Sequence, residues 1–146
     1  MKPLIVIAGI IRRDRKILIA QRYVKTENVF KWEFAGGKLE DEEAPKQCLE
    51  REIKEELDLD IQVKDIFKVV YHKYNDKTIL LLCYLCDAVL GEPKAIECND
   101  FKWVTIKELE KFTFTEADKP IVEKIIFVGE KIFEIDADNI NQYNKV

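Results

Sequence analysis

A glycine pair followed at once by a short amphipathic helix crowded with carboxylates constrains this chain more than any other feature. The run GKLEDEEAPKQCLEREIKEELDL spans Gly37 to Leu59 and sets Glu43, Glu52, Glu55 and Glu56 behind Gly36-Gly37. At ~100° of rotation per residue, Leu49, Ile53 and Leu57 form one apolar stripe, and Glu52, Glu55 and Glu56 fall within roughly one further quadrant along its flank. Three carboxylates on one side of one helix, held at the edge of a core, repel one another and lose hydration unless a cation sits among them. An all-oxygen set of this kind suits Mg²⁺ or Mn²⁺. The plainer alternative is a solvated helix face on which Arg51 and Lys54 supply the (i, i+3) and (i, i+4) partners.

A chain of 146 residues, 47% of them hydrophobic, has the length of one domain and enough apolar material for one core. Its formal net charge of −4 comes with basic residues spread along the chain, so no nucleic-acid groove is suggested. Apolar runs such as Leu4 to Ile11 are too short to span a membrane, and no secretory leader precedes them, which reads as a cytoplasmic protein without a membrane partner. Cys83 and Cys86 have the spacing of half a zinc knuckle. They lie in ILLLCYLCDAVL, however, which reads as a buried strand whose residues three apart face opposite sides. His72 has no Cys or Ser arrangement around it and reads as a strand residue.

The coarse order is strand, strand, short strand, helix, strand, strand, strand, helix, helix. Leu4 to Arg12 and Lys16 to Arg22 flank the turn Asp14-Arg15 and read as a hairpin. Tyr23 to Lys31 reads as a polar loop leading to the short strand Trp32-Glu33-Phe34. Pro45 suits a first helical turn, so the acidic helix is predicted from about Ala44 to Leu57. Ile61 to Tyr74 and Thr78 to Val89 form a second hairpin around Asn75-Asp76-Lys77. After Gly91-Glu92-Pro93 comes a strand at Phe101 to Val104. The capping-box patterns Thr105 to Glu108 and Thr115 to Asp118 predict helices through about Lys111 and Phe127. No linker or repeat divides the chain, which is therefore expected to be a single α/β domain over 1–146, a mixed β-sheet sandwiched between helices.

Glycine, five residues, Glu, seven residues, Arg-Glu-apolar-any-Glu-Glu, any residue, glycine and an apolar residue is the signature of the Nudix hydrolases. Gly37, Glu43, Arg51, Glu52, Ile53, Glu55, Glu56 and Leu59 match it. Asp58 stands where glycine is usual; it ends the helix, where Asp also tolerates the left-handed conformation. From Leu4 to about Phe127 the chain resembles the MutT-like branch. That match is carried by Trp32-Glu33-Phe34-Ala35-Gly36-Gly37-Lys38, with Ala35 in place of a common proline, by Gly91-Glu92-Pro93, and by Phe114 to Ile121. Within the branch, WEFAGGK is most similar to CTP pyrophosphohydrolases, which also act on oxidised or modified pyrimidine nucleotides.

The resemblance implies a Nudix fold and hydrolysis of a nucleoside triphosphate, (d)CTP or an oxidised (d)NTP, to monophosphate and pyrophosphate, with water attacking the β-phosphorus. Hydrolysis of dinucleoside polyphosphates or nucleotide sugars, or nucleotide binding without hydrolysis, stays open beside it. It implies Mg²⁺ (or Mn²⁺) held by Glu52, Glu55, Glu56 and the Gly37 carbonyl, with Glu97 either a further ligand or a solvated loop residue. Arg51 is expected to orient a helix glutamate, and Glu43 to pair with Arg51 or reach the outer metal shell. Lys38 is expected to contact phosphate or stand exposed.

Arg22, Phe34, Asp76, Lys77 and Asp118 are implied around the base or sugar. Asp118 can equally cap a helix start. An ionised Asp accepts two donors from a guanine edge, whereas against cytosine it meets an acceptor ring nitrogen unless it is protonated. Residues 130–146 lie beyond the matched region and are open to adding a strand, covering the core or mediating a homodimer.

Overall fold

A computed structural model describes residues 2–135. β1 (Leu4–Arg13) and β2 (Lys16–Val24) form the expected hairpin, with Arg13 opposite Lys16. Its turn residues, Asp14 and Arg15, take φ of 51° and 57°, the doubly left-handed turn that matches strand twist. β2 then turns again through residues 25–28 into β3 (Val29–Glu33). Tyr23 to Lys31 is therefore mostly a second hairpin and not a polar loop. Tyr23 faces Phe30 across it with ring centroids 5.3 Å apart, and Val24 faces Val29. These aromatic and β-branched cross-strand pairs outweigh the polar residues between them.

The glycine pair forms a short strand of its own, β4 (Gly36–Lys38), antiparallel to β1 with Gly37 opposite Ile7. A Cβ at Gly36 would overlap the Ile7 carbonyl oxygen, so only glycine lets the two backbones approach this closely. The acidic helix α1 (Pro45–Leu57) has the expected span. Ala44 at its N-cap has no side-chain acceptor, and Gln47 reaches back to accept from the Ala44 amide at 3.1 Å. Asp58 closes the other end at φ 51°, ψ 42°, donating its N–H to the Lys54 carbonyl, as the departure from glycine predicts.

β5 (Asp60–Lys73) and β6 (Thr78–Leu90) make the long hairpin, and β7 (Asp100–Val104) pairs with β2. β1 and β6 run parallel, Leu4 opposite Ile79 through Arg12 opposite Asp87, while the other pairings are antiparallel, so the sheet is mixed. These two central strands are covered on both faces, which explains their nearly unbroken apolar sequence.

α1 packs through Leu49, Ile53 and Leu57 against Ile7, Ile11 and Cys86 on one face. Helix α2 (Lys119–Val128) packs through Ile121 and Ile125 against Ile10, Cys83 and Leu85 on the other. Cys83 and Cys86 thus fall on opposite faces, which rules out a shared metal.

Two helix boundaries differ from the sequence expectation. Thr105 to Lys111 contains only a 3₁₀ turn, Leu109–Lys111, although the capping-box contact itself forms, the Glu108 carboxylate accepting from the Thr105 amide and hydroxyl, both at 2.9 Å. The segment after Thr115 opens as a 3₁₀ turn, Glu116–Asp118, before α2. Pro120 has no N–H to return to the Glu116 carbonyl, so the Lys119 amide takes that acceptor in the tighter turn.

Beyond α2, Ile132 and Ile135 are buried in the core on the α2 side, and their carbonyls accept from Arg12 Nη1 at 2.6 and 2.7 Å. The remainder of the C-terminal stretch, 136–146, lies outside the described residues. Among the described residues no helix is long and apolar enough to cross a membrane.

Candidate active site

With Leu49, Ile53 and Leu57 fully buried, the rotation of α1 is fixed. Glu52 and Glu56, one turn apart, then lie on the flank toward β4, while Glu55 stays exposed. Glu52 lies directly against Gly37, where a Cβ would overlap its carboxyl group. The glycine pair therefore has two separate duties, Gly36 admitting the β1 backbone and Gly37 admitting a helix carboxylate.

Arg51 organises the acids on the outer side. Its guanidinium grips Glu43 with two bonds, Nε to Oε2 at 2.6 Å and Nη2 to Oε1 at 3.1 Å, and Nη1 reaches Glu52 at 3.0 Å and Glu55 at 3.1 Å. This bidentate pairing brings the Glu43 carboxyl down to about 2. The same contact pushes Arg51 above its ordinary value.

Glu56 has the opposite surroundings. It is 8% exposed and, among the described residues, has no ion-pair partner. Burial above all, then Glu33, Glu52 and Glu97, push its carboxyl up to about 8, against only the Gly36 amide favouring the charge. Glu97 is exposed, on a loop whose Lys94, Ile96 and Glu97 amides bond the last carbonyls of α1 at 2.8 to 3.3 Å. The loop thus brings a further carboxylate to the same end of the helix.

Among the described residues no three acidic, His or Cys side chains converge into a coordination sphere. Glu52 and Glu55 turn instead to Arg51, the cation at hand. Glu56, with like charges on three sides and no cationic partner, belongs to a donor set whose hard oxygens and excess negative charge fit a divalent metal ion.

Beside these acids opens a cavity of about 230 Å³ between β1, β4, the β5–β6 hairpin and the 3₁₀ turn before α2. Of the expected residues, Arg22, Phe34, Gly37, Lys38, Lys77 and Asp118 form its walls. Asp76 does not, and stands in the exposed turn nearby. Phe34 is stacked on Phe114 with centroids 5.4 Å apart, which fixes the orientation of its ring.

Asp118 is 4% exposed, and the Thr115 amide that a full capping box would bring to its carboxyl is already given to the Trp32 carbonyl. Its carboxyl accepts instead from the Thr115 hydroxyl at 2.6 Å. Burial first, then Glu33, raise it to about 8, although Thr115, Arg22 and the Phe34 amide act against the shift.

Two titratable wall residues have no counterpart among the sequence candidates. Glu33 is paired with Arg22 at 3.3 Å and stands electrostatically between Glu56 and Asp118; desolvation raises its own carboxyl. It lies inside the WEFAGGK run, so a charged residue between two buried aromatics was the available signal. Tyr74 accepts from the Ala117 amide at 3.0 Å. That contact spans 43 residues and depends on hairpin register, which local pattern does not carry.

Comparison with known proteins bears on the family and the fold. The NUDIX domain family profile matches residues 1–125. The CTP pyrophosphohydrolase of Escherichia coli (strain K12) is 34% identical over 123 residues, covering 84% of this chain and 91% of that protein. The 8-oxo-dGTP diphosphatase of the same strain is 32% identical over 126 residues, covering 86% and 98%. The crystal structure of a MutT NUDIX hydrolase from Burkholderia pseudomallei superposes with a TM-score of 0.76 at 27% identity, covering 84% of this chain and 98% of that one.

Proposed function

The chain belongs to the Nudix hydrolase family, and from that premise we infer that it hydrolyses free nucleoside triphosphates, (d)CTP or oxidised (d)NTPs, to monophosphate and pyrophosphate in the cytoplasm. Nudix hydrolases need divalent cations. The observation that carries the reading is the buried Glu56 carboxyl, crowded by Glu33, Glu52 and Glu97 without a cationic partner, next to a cavity walled by Phe34, Arg22 and Asp118.

In this reading Glu52, Glu55, Glu56 and the Gly37 carbonyl hold Mg²⁺ or Mn²⁺, with Glu97 as a further acidic group. When bound, the ion neutralises phosphate charge, polarises the P–O bond under attack and supplies hydroxide near neutral pH. Glu43 locks the Arg51 guanidinium, and Arg51 in turn holds the Glu52 and Glu55 carboxylates together. Lys38, exposed at the cavity rim, takes phosphate charge. Phe34 offers the base an aromatic surface fixed by Phe114. Asp118, pushed up to about 8, is protonated at neutral pH, so it offers a donor to the ring nitrogen of cytosine as well as an acceptor to the amine. That supports a cytosine base over an unmodified guanine.

The test is a panel of nucleoside triphosphates, dinucleoside polyphosphates and nucleotide sugars with Mg²⁺ in ¹⁸O-labelled water. Expected are monophosphate and pyrophosphate from a cytosine or oxidised nucleotide, with the label in pyrophosphate. Turnover of dinucleotides alone, or label only in the monophosphate, overturns the substrate or the mechanism respectively.

A further inference from the structure

The cavity has two walls far apart in sequence. One is the β5–β6 hairpin turn with Lys77; the other is the 3₁₀ turn Glu116–Asp118. The second wall is tied on its outer side to β3, where Trp32 N–H donates to the Thr113 carbonyl at 2.8 Å and Thr115 N–H to the Trp32 carbonyl at 2.9 Å. On its inner side, Tyr74 joins it to the hairpin.

Tyr74 is itself well anchored. Its own amide donates to the Lys77 carbonyl at 2.8 Å, its ring meets His72 edge-on at 4.4 Å, and the Lys77 amine lies 5.9 Å from the ring centre. Its hydroxyl oxygen accepts from Ala117 N–H, one residue before Asp118. An acceptor bond to a fixed main-chain amide restricts rotation of the phenol O–H. Among the described residues that hydroxyl donates to no protein acceptor. Its proton is therefore available to a molecule in the cavity that Tyr74 lines.

We propose that Tyr74 is a specificity-determining residue: its hydroxyl fixes the spacing between the hairpin wall and the Asp118 wall and presents a hydrogen-bond donor to an oxygen of the bound base or sugar. This rests on the cavity being the nucleoside pocket. Without the hydroxyl, the Ala117 amide loses its acceptor and the two walls separate independently. The cost falls on recognition of the nucleoside, since the carboxylates of α1 are held by Arg51 and Gly37 and make no contact with Tyr74.

Tyr74→Phe keeps the ring, its packing on His72 and its cation contact, and removes only the oxygen. Steady-state kinetics with CTP, UTP, GTP and ATP in Mg²⁺ should show KM for the preferred nucleotide raised ~10-fold and preference over the poorest narrowed by a similar factor, as for loss of a hydrogen bond in a buried site. kcat at saturation should stay within about 3-fold, because the groups around the phosphates are untouched. A lower melting temperature with every preference ratio unchanged would make the bond purely structural and overturn the proposal, as would unchanged kinetics. The wild type on the same panel tests the underlying reading separately. If it turns over no nucleoside triphosphate, with deoxy and oxidised nucleotides added to the panel, the nucleoside pocket falls and the proposal with it.

Discussion

Gly37 and Glu52 share one space: the hydrogen where a glycine lacks a side chain is what the Glu52 carboxyl packs against. The two positions are 15 apart in sequence, on different elements, and neither can change without consequence for the other.

Gly37→Ala should therefore act like a lesion in Glu52. A methyl group at 37 drives the carboxylate off its position, and we expect kcat to fall roughly 10²-fold, as does Glu52→Gln, because metal-assisted catalysis carries several kcal/mol of the barrier. The double variant should be hardly worse than the worse single one, the signature of one shared interaction. Multiplicative losses in that cycle would refute the shared role.

Glu56→Gln should separate activity from stability. The folded-state value near 8 lies above the ordinary 4.5, so between these values the folded protein holds a proton that the unfolded chain has released. Stability of the metal-free protein is therefore lost as pH rises from about 4.5 to about 8. Melting temperatures in EDTA should fall less steeply with pH for Glu56→Gln than for the wild type. Mg²⁺ should recover the wild type at high pH and leave the variant unchanged, while turnover of the variant drops about 10²-fold or more.

Arg51→Met tests the outer clamp. Glu43 is held near 2 by Arg51, below its ordinary 4.5, so its contribution is present above about 4.5 and lost as pH falls toward 2. The variant should lack that acid-side loss in thermal melts across pH 2 to 5. It should also show turnover reduced ~10-fold or more as Glu52 and Glu55 lose their shared partner. Arg51→Lys should recover little, since a single ammonium cannot reproduce the two-bond grip on Glu43.

Asp118→Asn bears on the base. The exchange fixes the donor-and-acceptor pattern that the carboxyl presents only while protonated, so the ratio of kcat/KM between cytosine and guanine nucleotides should match the wild type near pH 6 and differ from it about tenfold above pH 9, where the wild type is ionised. The Asp118 value near 8, against an ordinary 3.8, also makes the wild type lose stability as pH rises through that range. The Asn variant should be relatively more heat-stable at pH 8 than at pH 5. A substrate ratio unchanged even above pH 9, with a melting temperature lowered at both pH 5 and pH 8, would return this residue to a structural role.

Chelation is the simplest check. Turnover of the preferred nucleotide should disappear in excess EDTA and return with Mg²⁺ or Mn²⁺; full activity without metal would sink the role assigned to the α1 carboxylates.

What could be read from the sequence follows the range of the forces involved. The span of α1, its left-handed end at Asp58 and both hairpin turns are set by residues a few positions apart, and local periodicity shows them. The Glu43 to Arg51 pairing was one of two open alternatives, because reach along a helix and its approach does not say which acid an arginine prefers. Tyr23 to Lys31 misled because polar residues in the turn hid four strand-forming residues that face one another only once the register is set. The start of α2 was misplaced by a proline whose missing N–H shifts one carbonyl to a different partner. Glu33 and Tyr74 acquire their roles through distant groups, Glu56 and Asp118 for one and Ala117 for the other, which the order of residues does not encode locally.

The parallel pairing of β1 with β6 has a consequence for how the molecule is made. Leu4 must wait for Ile79, about 75 residues downstream, so the centre of the sheet cannot close until β6 has been made. The acidic helix, complete by Leu57, leaves the ribosome after β1 to β4 and before β5, β6 and β7. Closing the long loop between β1 and β6 is the entropically costly step of the fold. Glu97, the last of the three acids that crowd Glu56, follows β6 in the chain, so the full like-charge crowding is in place only after the centre of the sheet can close.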